Sequence, residues 1–284
     1  MAIVLVALDI VFTVLSYRKG EVPTLECPTT LEVPSSITDA ELCRYVKAID
    51  GDKDISDRVV VERKKYFLLE SGKMEKGKSR VVFSVCDDDY NVASCTVIVH
   101  YTDYVSPRIY AKNSLIYQTE KTVQLPKQFA VEDCFDGNAA KTQKNINERL
   151  MVIADEYDYT TAGEYDITCK VTNSYGDTRE IVFPVIITDD HYKASIELSQ
   201  YVKYVTTKDR IADFKQYMVG VTALAVDEKI DTPLPQEYLS IAKVEIDDSE
   251  YQSDVPGVYS VFYKIRYNGA LVARSRIIIV VEEA

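Results

Sequence analysis

The chain has no tryptophan, and only two histidines and ten glycines among 284 residues. Scarce histidine removes the commonest general base and metal ligand. His100 and His191 lie far apart, and neither has a G-x-S-x-G or other nucleophile motif beside it. Hydrolase chemistry therefore has little to build on. No Cys-x-x-Cys pair occurs, which argues against a zinc ribbon or a thioredoxin-like motif. Positive charge is also short: 33 Lys+Arg stand against 45 Asp+Glu, a net charge of −12. Nucleic-acid binders normally carry the opposite balance. Gly/Ser linkers are missing. What is abundant is apolar side chain, 46% of residues, and tyrosine, 21 copies. That composition excludes intrinsic disorder and supports packed cores.

Residues 1–15 read MAIVLVALDIVFTVL, almost wholly apolar but interrupted by Asp9 and Thr13. A spanning helix needs about 20 apolar residues, and Asp9 raises the cost of insertion. A secretory leader would begin with basic residues, yet the positive charges here, Arg18 and Lys19, follow the run. Two readings stand: residues 1–19 are an anchor or a shortened signal, or they form a buried strand rich in β-branched residues.

The cysteines are Cys27, Cys43, Cys86, Cys95, Cys134 and Cys169. An even count fits a disulfide set in an oxidising compartment, and six allow 15 pairings. Cys86 and Cys95 flank DDDYNVAS, which reads as a hairpin turn, so they are the best-placed pair. The competing reading is that several are buried thiols.

The chain repeats itself. Asp50-Gly51 matches Asp136-Gly137 and Gly77–Asn91 matches Gly163–Asp177, both at an offset of 86 residues. Tyr165, Ile167, Cys169 and Val171 alternate with polar residues, and Val81, Phe83 and Val85 fill the same phase. Period-two alternation marks a strand with one buried face. Each copy then turns, at 87–91 and 173–177, into a second apolar strand at 96–101 and 181–188, which predicts a β-hairpin. A diverged third copy runs from Pro256-Gly257 through Ile265, turns at 267–270 and ends at 275–281, with Asp227 matching Asp133 at an offset of 94. Helical candidates at 38–46 and 139–152 are discounted because the repeat phase wants loop and strand there. The expected fold is all-β: three tandem immunoglobulin-like sandwiches over 22–104, 105–189 and 190–284, forming a semi-rigid rod behind the N-terminal segment.

The pattern resembles the bacterial immunoglobulin-like surface domains of the DUF5011 and HYR-like group. The second copy carries it best, with Asp133-Cys134-Phe135-Asp136-Gly137 and then Gly163 through Asp177. The first copy has Tyr90 in place of the turn glycine, and the third keeps only the Gly257/Tyr259 strand and a Gly269 turn. The resemblance implies a tandem cell-surface stalk or adhesion module of a Gram-positive-type bacterium, and it implies no catalytic residues.

Two chemical ideas remain. Asp50, Asp52 and Asp54 place carboxylates at alternate positions, a spacing that suits calcium, and Asp103, Asp189 and Asp190 sit in the joints. The EF-hand pattern fails, because Ile55 and Val61 occupy its glycine and glutamate positions. The alternative is that these aspartates cap turns. Tyr45, Tyr66, Tyr90, Tyr104, Tyr110, Tyr117, Tyr157, Tyr159 and Tyr175 exceed what cores need, so some are expected on a binding surface. The functional expectation is a non-enzymatic extracellular or cell-surface module whose partner is a protein or glycan, with no nucleic acid, no required cofactor and membrane association only through the N-terminal segment. The alternative is a glycan-binding accessory region of a secreted carbohydrate-active system.

Overall fold

The computed structural model describes residues 21–68, 74–136, 145–225 and 232–284. The proposed N-terminal anchor or signal, residues 1–19, lies outside them, as does Asp227. Among the described residues no helix is long and apolar enough to cross a membrane.

The chain is all-β, and one topology occurs three times. The first sandwich pairs β1 (Thr24–Glu26), β3 (Lys47–Asp50) and β4 (Lys53–Asp54) in one sheet. Its other sheet has the order β2-β7-β6-β5, from β2 (Thr30–Val33), β5 (Val60–Leu68), β6 (Met74–Cys86) and β7 (Val92–Tyr101). The second sandwich pairs β8 (Arg108–Ala111) with β10 (Phe129–Glu132). Facing them, β9 (Ile116–Gln118), β11 (Met151–Ile153), β12 (Gly163–Thr172) and β13 (Thr178–Thr188) run β11-β12-β13-β9. The third pairs β14 (Ala194–Leu198) with β16 (Met218–Ala223). Its larger sheet runs β15-β19-β18-β17, from β15 (Val202–Thr206), β17 (Glu245–Asp247), β18 (Gly257–Tyr267) and β19 (Ala270–Glu282). Each larger sheet holds the hairpin expected from the repeat, and each has a short strand laid parallel to the hairpin's second strand.

One discounted element is real. Residues Asp39–Cys43 form a short α-helix, α1, inside the 38–46 candidate. Thr38 Oγ1 accepts from Glu41 N, while the Glu41 carboxylate accepts from Thr38 N at 2.8 Å. This capping box, with Leu42 fully buried beneath it, stabilises one turn where the repeat phase asked only for loop. In 139–152 the described part forms a 3-10 turn, Ile146–Arg149, leading into β11.

The chain makes two compact units. Unit 1 takes the residues up to Ser106 together with 134–142 and 173–177. Its core gathers Leu42, Ile55, Val81, Phe83, Val97 and Val99. Unit 2 takes the rest, and so holds most of the second sandwich and all of the third. Within it, alternation along β19 serves two cores at once. Ile277, Ile279 and Val281 pack into the third sandwich, while Ile278 and Val280 pack with Ile109, Ile167 and Phe183 of the second. Val202 and Tyr204 of β15 join that second core. Two-sided burial explains why residues 277–281 form an unbroken Ile/Val run rather than an alternating one.

Candidate functional site

Hairpin tips, loops and buried polar side chains hold the groups that were singled out. The β6–β7 tip is built on Asp87. Its Oδ1 accepts from the backbone N–H of Asp89 and Asn91 at 2.9 and 2.8 Å, and its Oδ2 accepts from the Asn91 amide at 2.9 Å. Burial alone would raise the Asp87 pKa, but these hydrogen bonds hold it below the ordinary carboxylate value. The β12–β13 tip repeats the geometry with the residue types exchanged. Asn173 Oδ1 accepts from the N–H of Tyr175 and Asp177, at 3.1 and 3.0 Å.

Within unit 1, residues 134–136 and 173–177 pack against Tyr101 and Tyr104. The Phe135 and Tyr175 rings stack at 3.9 Å, and Tyr101 meets both edge-on. Tyr104 Oη donates to Asp177 Oδ2 at 2.5 Å and accepts from Asn173 Nδ2 at 3.3 Å. Ser174 N donates to Asp136 Oδ2 at 2.6 Å. Burial first, then the Asp177 carboxylate, pushes the Tyr104 pKa up, and burial followed by Tyr101 does the same to Tyr175. Gly77 lies against this cluster at φ +73°, where a Cβ would stand 3.1 Å from Tyr104 Cβ, so only glycine fits. The remaining space is about 10 Å³, room for one water at most, so the cluster is a packed contact and not a ligand pocket.

Within unit 2, Arg276 is fully buried. Its Nε and Nη2 donate to the carbonyls of Ser114 and Leu115 at 3.3 Å, and Nη2 also to Pro184, while Nη1 stands 3.9 Å from Glu164. Burial lowers its pKa to about 10, so it remains a cation at neutral pH. Tyr204 Oη both accepts from Ile109 N and donates to Ile109 O, each at 2.8 Å. Two third-sandwich side chains thus satisfy backbone groups of the second. The signal for Arg276 was legible: a cation opening an Ile/Val run is costly unless it has a buried purpose.

The sequence-predicted sites fare unevenly. Cys86 and Cys95 do not pair. In the β6–β7 register Cys86 faces Val92 and Cys95 faces Phe83, so the two are not opposite one another. Cys95 instead bonds Cys27, with Cα atoms 6.7 Å apart. Cys43, Cys86 and Cys169 remain thiols, and Cys134 donates its Sγ–H to Val105 O at 3.5 Å. One bridge therefore stands, not the three that six cysteines could form. Burial pushes Cys169 up to about 12, an inert core thiol.

Asp50, Asp52 and Asp54 sit at the tight β3–β4 connection, where Asp54 Oδ1 accepts from Ser56 N at 2.9 Å. Among the described residues no three His, Cys, Asp or Glu side chains are grouped to hold a metal. Asp103 accepts from Ser35 N and Asp189 from Thr119 Oγ1, contacts that tie each joint to a loop 68 and 70 residues away in sequence. His100 is partly exposed on β7, 3.9 Å from Glu32. His191 is exposed. Of the tyrosines, Tyr45, Tyr90 and Tyr159 are exposed, whereas Tyr104 and Tyr175 belong to the packed cluster. An open cleft of about 970 Å³ lies between α1 and the strand ends, lined by Cys27, Cys43, Arg44, Tyr45 and Asp57.

No protein-family model and no curated protein matches the chain. Solved structures that resemble it include the M60 catalytic domain with two CBM51 domains of Clostridium perfringens ZmpB, 14% identical, covering 92% of this chain and 31% of that one, with a TM-score of 0.22. Drosophila N-cadherin EC1-4 is 9% identical, covering 93% and 76%, with a TM-score of 0.22. Human CDH23 EC21-23 is 11% identical, covering 92% and 100%, with a TM-score of 0.22. The chain spans about a third of the first of these. Superposition at this level adds nothing to the sheet topology described above.

Proposed function

We propose that the chain is a non-enzymatic extracellular module, a bacterial cell-surface stalk or adhesion segment that holds its second and third sandwiches in fixed geometry. The observation that carries this reading is the two-sided burial of β19 within unit 2. Ile278, Val280, Val202 and Tyr204 belong to the second sandwich's core although the third sandwich's strands supply them. Each such side chain is worth roughly 1.5–3 kcal/mol on full burial. Arg276 and Tyr204 add hydrogen bonds that a hinge would leave unmade. A spacer that projects its modules needs such a joint. The Cys27–Cys95 bond supports an oxidising compartment.

Two measurements test the reading. Residual dipolar couplings on the full chain should fit one alignment tensor for β12–β13 and β18–β19 together; two different tensors would overturn the fixed geometry. Antibody against unit 2 should label intact cells of the source organism, with Cys27–Cys95 oxidised in the recovered protein. Labelling only after permeabilisation, with Cys27 and Cys95 reduced, would overturn the surface placement.

A further inference from the structure

Residues 58–80 carry eight of the chain's 33 Lys+Arg but only three of its 45 Asp+Glu, a local reversal of an acidic chain. They span the β5–β6 hairpin of the first sandwich. Register places Arg63 opposite Val82 and Lys65 opposite Arg80. Val81 and Phe83 alternate into the core, so Arg80 and Val82 point outward with their strand partners. Arg63, Lys65 and Arg80 are all exposed. Arg80 lies over the Phe67 ring at 5.8 Å, and the next strand adds Ile98 opposite Arg80. The result is a flat basic face with apolar patches between its cations.

Like charges directly opposite on neighbouring strands repel. The other two sandwiches avoid this at the corresponding strand pairs. In β11–β12, Met151 faces Lys170, and in β17–β18, Glu245 faces Lys264. Among the described residues of these three strand pairs only Lys65 and Arg80 set like charges opposite each other, and neither they nor Arg63 has an ion-pair partner.

We infer that this outer face of the first sandwich binds an anionic polysaccharide, whose sulfates or carboxylates supply the negative charge that the protein withholds there. A linear polymer suits a flat face better than a pocket ligand does. Sugar rings can lie on Phe67, Ile98 and Val82 while their anions meet Arg63, Lys65 and Arg80. The inference goes beyond the surface reading, and its test is made on purified protein so that failure of one leaves the other standing.

The full chain is titrated with heparin and with alginate in about 50 mM NaCl, where surface charge is weakly screened. Binding to either is expected, weakening steeply with added salt. The K65Q/R80Q double variant should bind about tenfold more weakly and also melt a few degrees higher, because it sheds the repulsive pair. K170Q, which removes a cation already paired with Glu180, should bind as the parent does. Should the double variant fail to fold, R63Q carries the same comparison. Three outcomes would overturn the inference: no binding to either polysaccharide, equal binding by parent and double variant, or single-stranded DNA or polyglutamate held as tightly as heparin.

Discussion

Two hairpin tips, 87–91 and 173–177, share a backbone and differ in what they meet. In both, the first residue's side-chain oxygen accepts two backbone N–H groups, and its own N–H donates to the carbonyl four residues on. Asp–Asn in one tip is Asn–Asp in the other, so the acceptor role survives the exchange. The last contact differs. Asp177 receives the Tyr104 hydroxyl, and Tyr175 lies flat on Phe135. In the other tip Asp88 is held by Lys53 and Arg58 of its own sandwich, and Tyr90 is 86% exposed. Repeated residues therefore build the turn. Unrepeated ones, Phe135 and Tyr175 above all, decide whether a tip is packed or left in water.

The largest expected effect comes from breaking the packed tip. F135A removes the ring that Tyr101, Tyr104 and Tyr175 all touch. A cost of about 3 kcal/mol to unit 1 is expected, the low end for a large aromatic because Phe135 is only half-buried. Differential scanning calorimetry should show the lower transition, whereas Y90A, at the solvent-facing tip, should leave it within about 0.5 kcal/mol. Equal losses in the two variants would mean that the tips do not differ as described.

The repeat offset made the hairpins and the identity of the tips legible in the sequence, because period-two alternation is a one-dimensional signal. The packed cluster was not legible, since Phe135 sits in a loop element and its neighbours come from the end of β7, the loop after it and the β12–β13 turn, all distant in sequence. The disulfide failed for a related reason. Cys86 and Cys95 are close along the chain, but register, which sequence spacing does not give, sets Cys95 beside Phe83. Helix α1 lies inside the candidate at 38–46 that the repeat phase argued against, because a single turn resting on a capping box and one apolar residue gives a weaker pattern than the repeat. The unbroken run at 277–281 did hold information about two-sided burial, and so did the cation that opens it. The charge reversal over 58–80 was visible to a window count, but only strand pairing shows that Lys65 and Arg80 face each other.

Exchanging the residue at the turn sharpens the comparison further. Position 90 of the first tip corresponds to 176 of the second, and both adopt positive φ, +63° for Tyr90 and +87° for Gly176. A non-glycine residue there costs about 1–2 kcal/mol. G176A should therefore destabilise unit 1 by that amount, and Y90G should stabilise it by about 0.5–1 kcal/mol, less because glycine also frees the unfolded chain. Urea midpoints at constant m-value would read both. A stabilising G176A would show that the second tip relaxes out of the left-handed region.

The smallest effect separates the tips by acid. Asp87 titrates below its unfolded value, so its contribution is complete above about pH 4 and is lost as pH falls through the lower folded pKa. Its counterpart Asn173 is an amide and does not titrate. On acidification, the backbone N–H resonances of Asp89 and Asn91 should shift together as the Asp87 carboxylate protonates and accepts less strongly. The Tyr175 N–H, bound to the Asn173 side-chain oxygen, should not follow that midpoint. A Tyr175 N–H titrating with the same midpoint would mean that the two tips are coupled, and that the exchange of Asp for Asn has not made them independent.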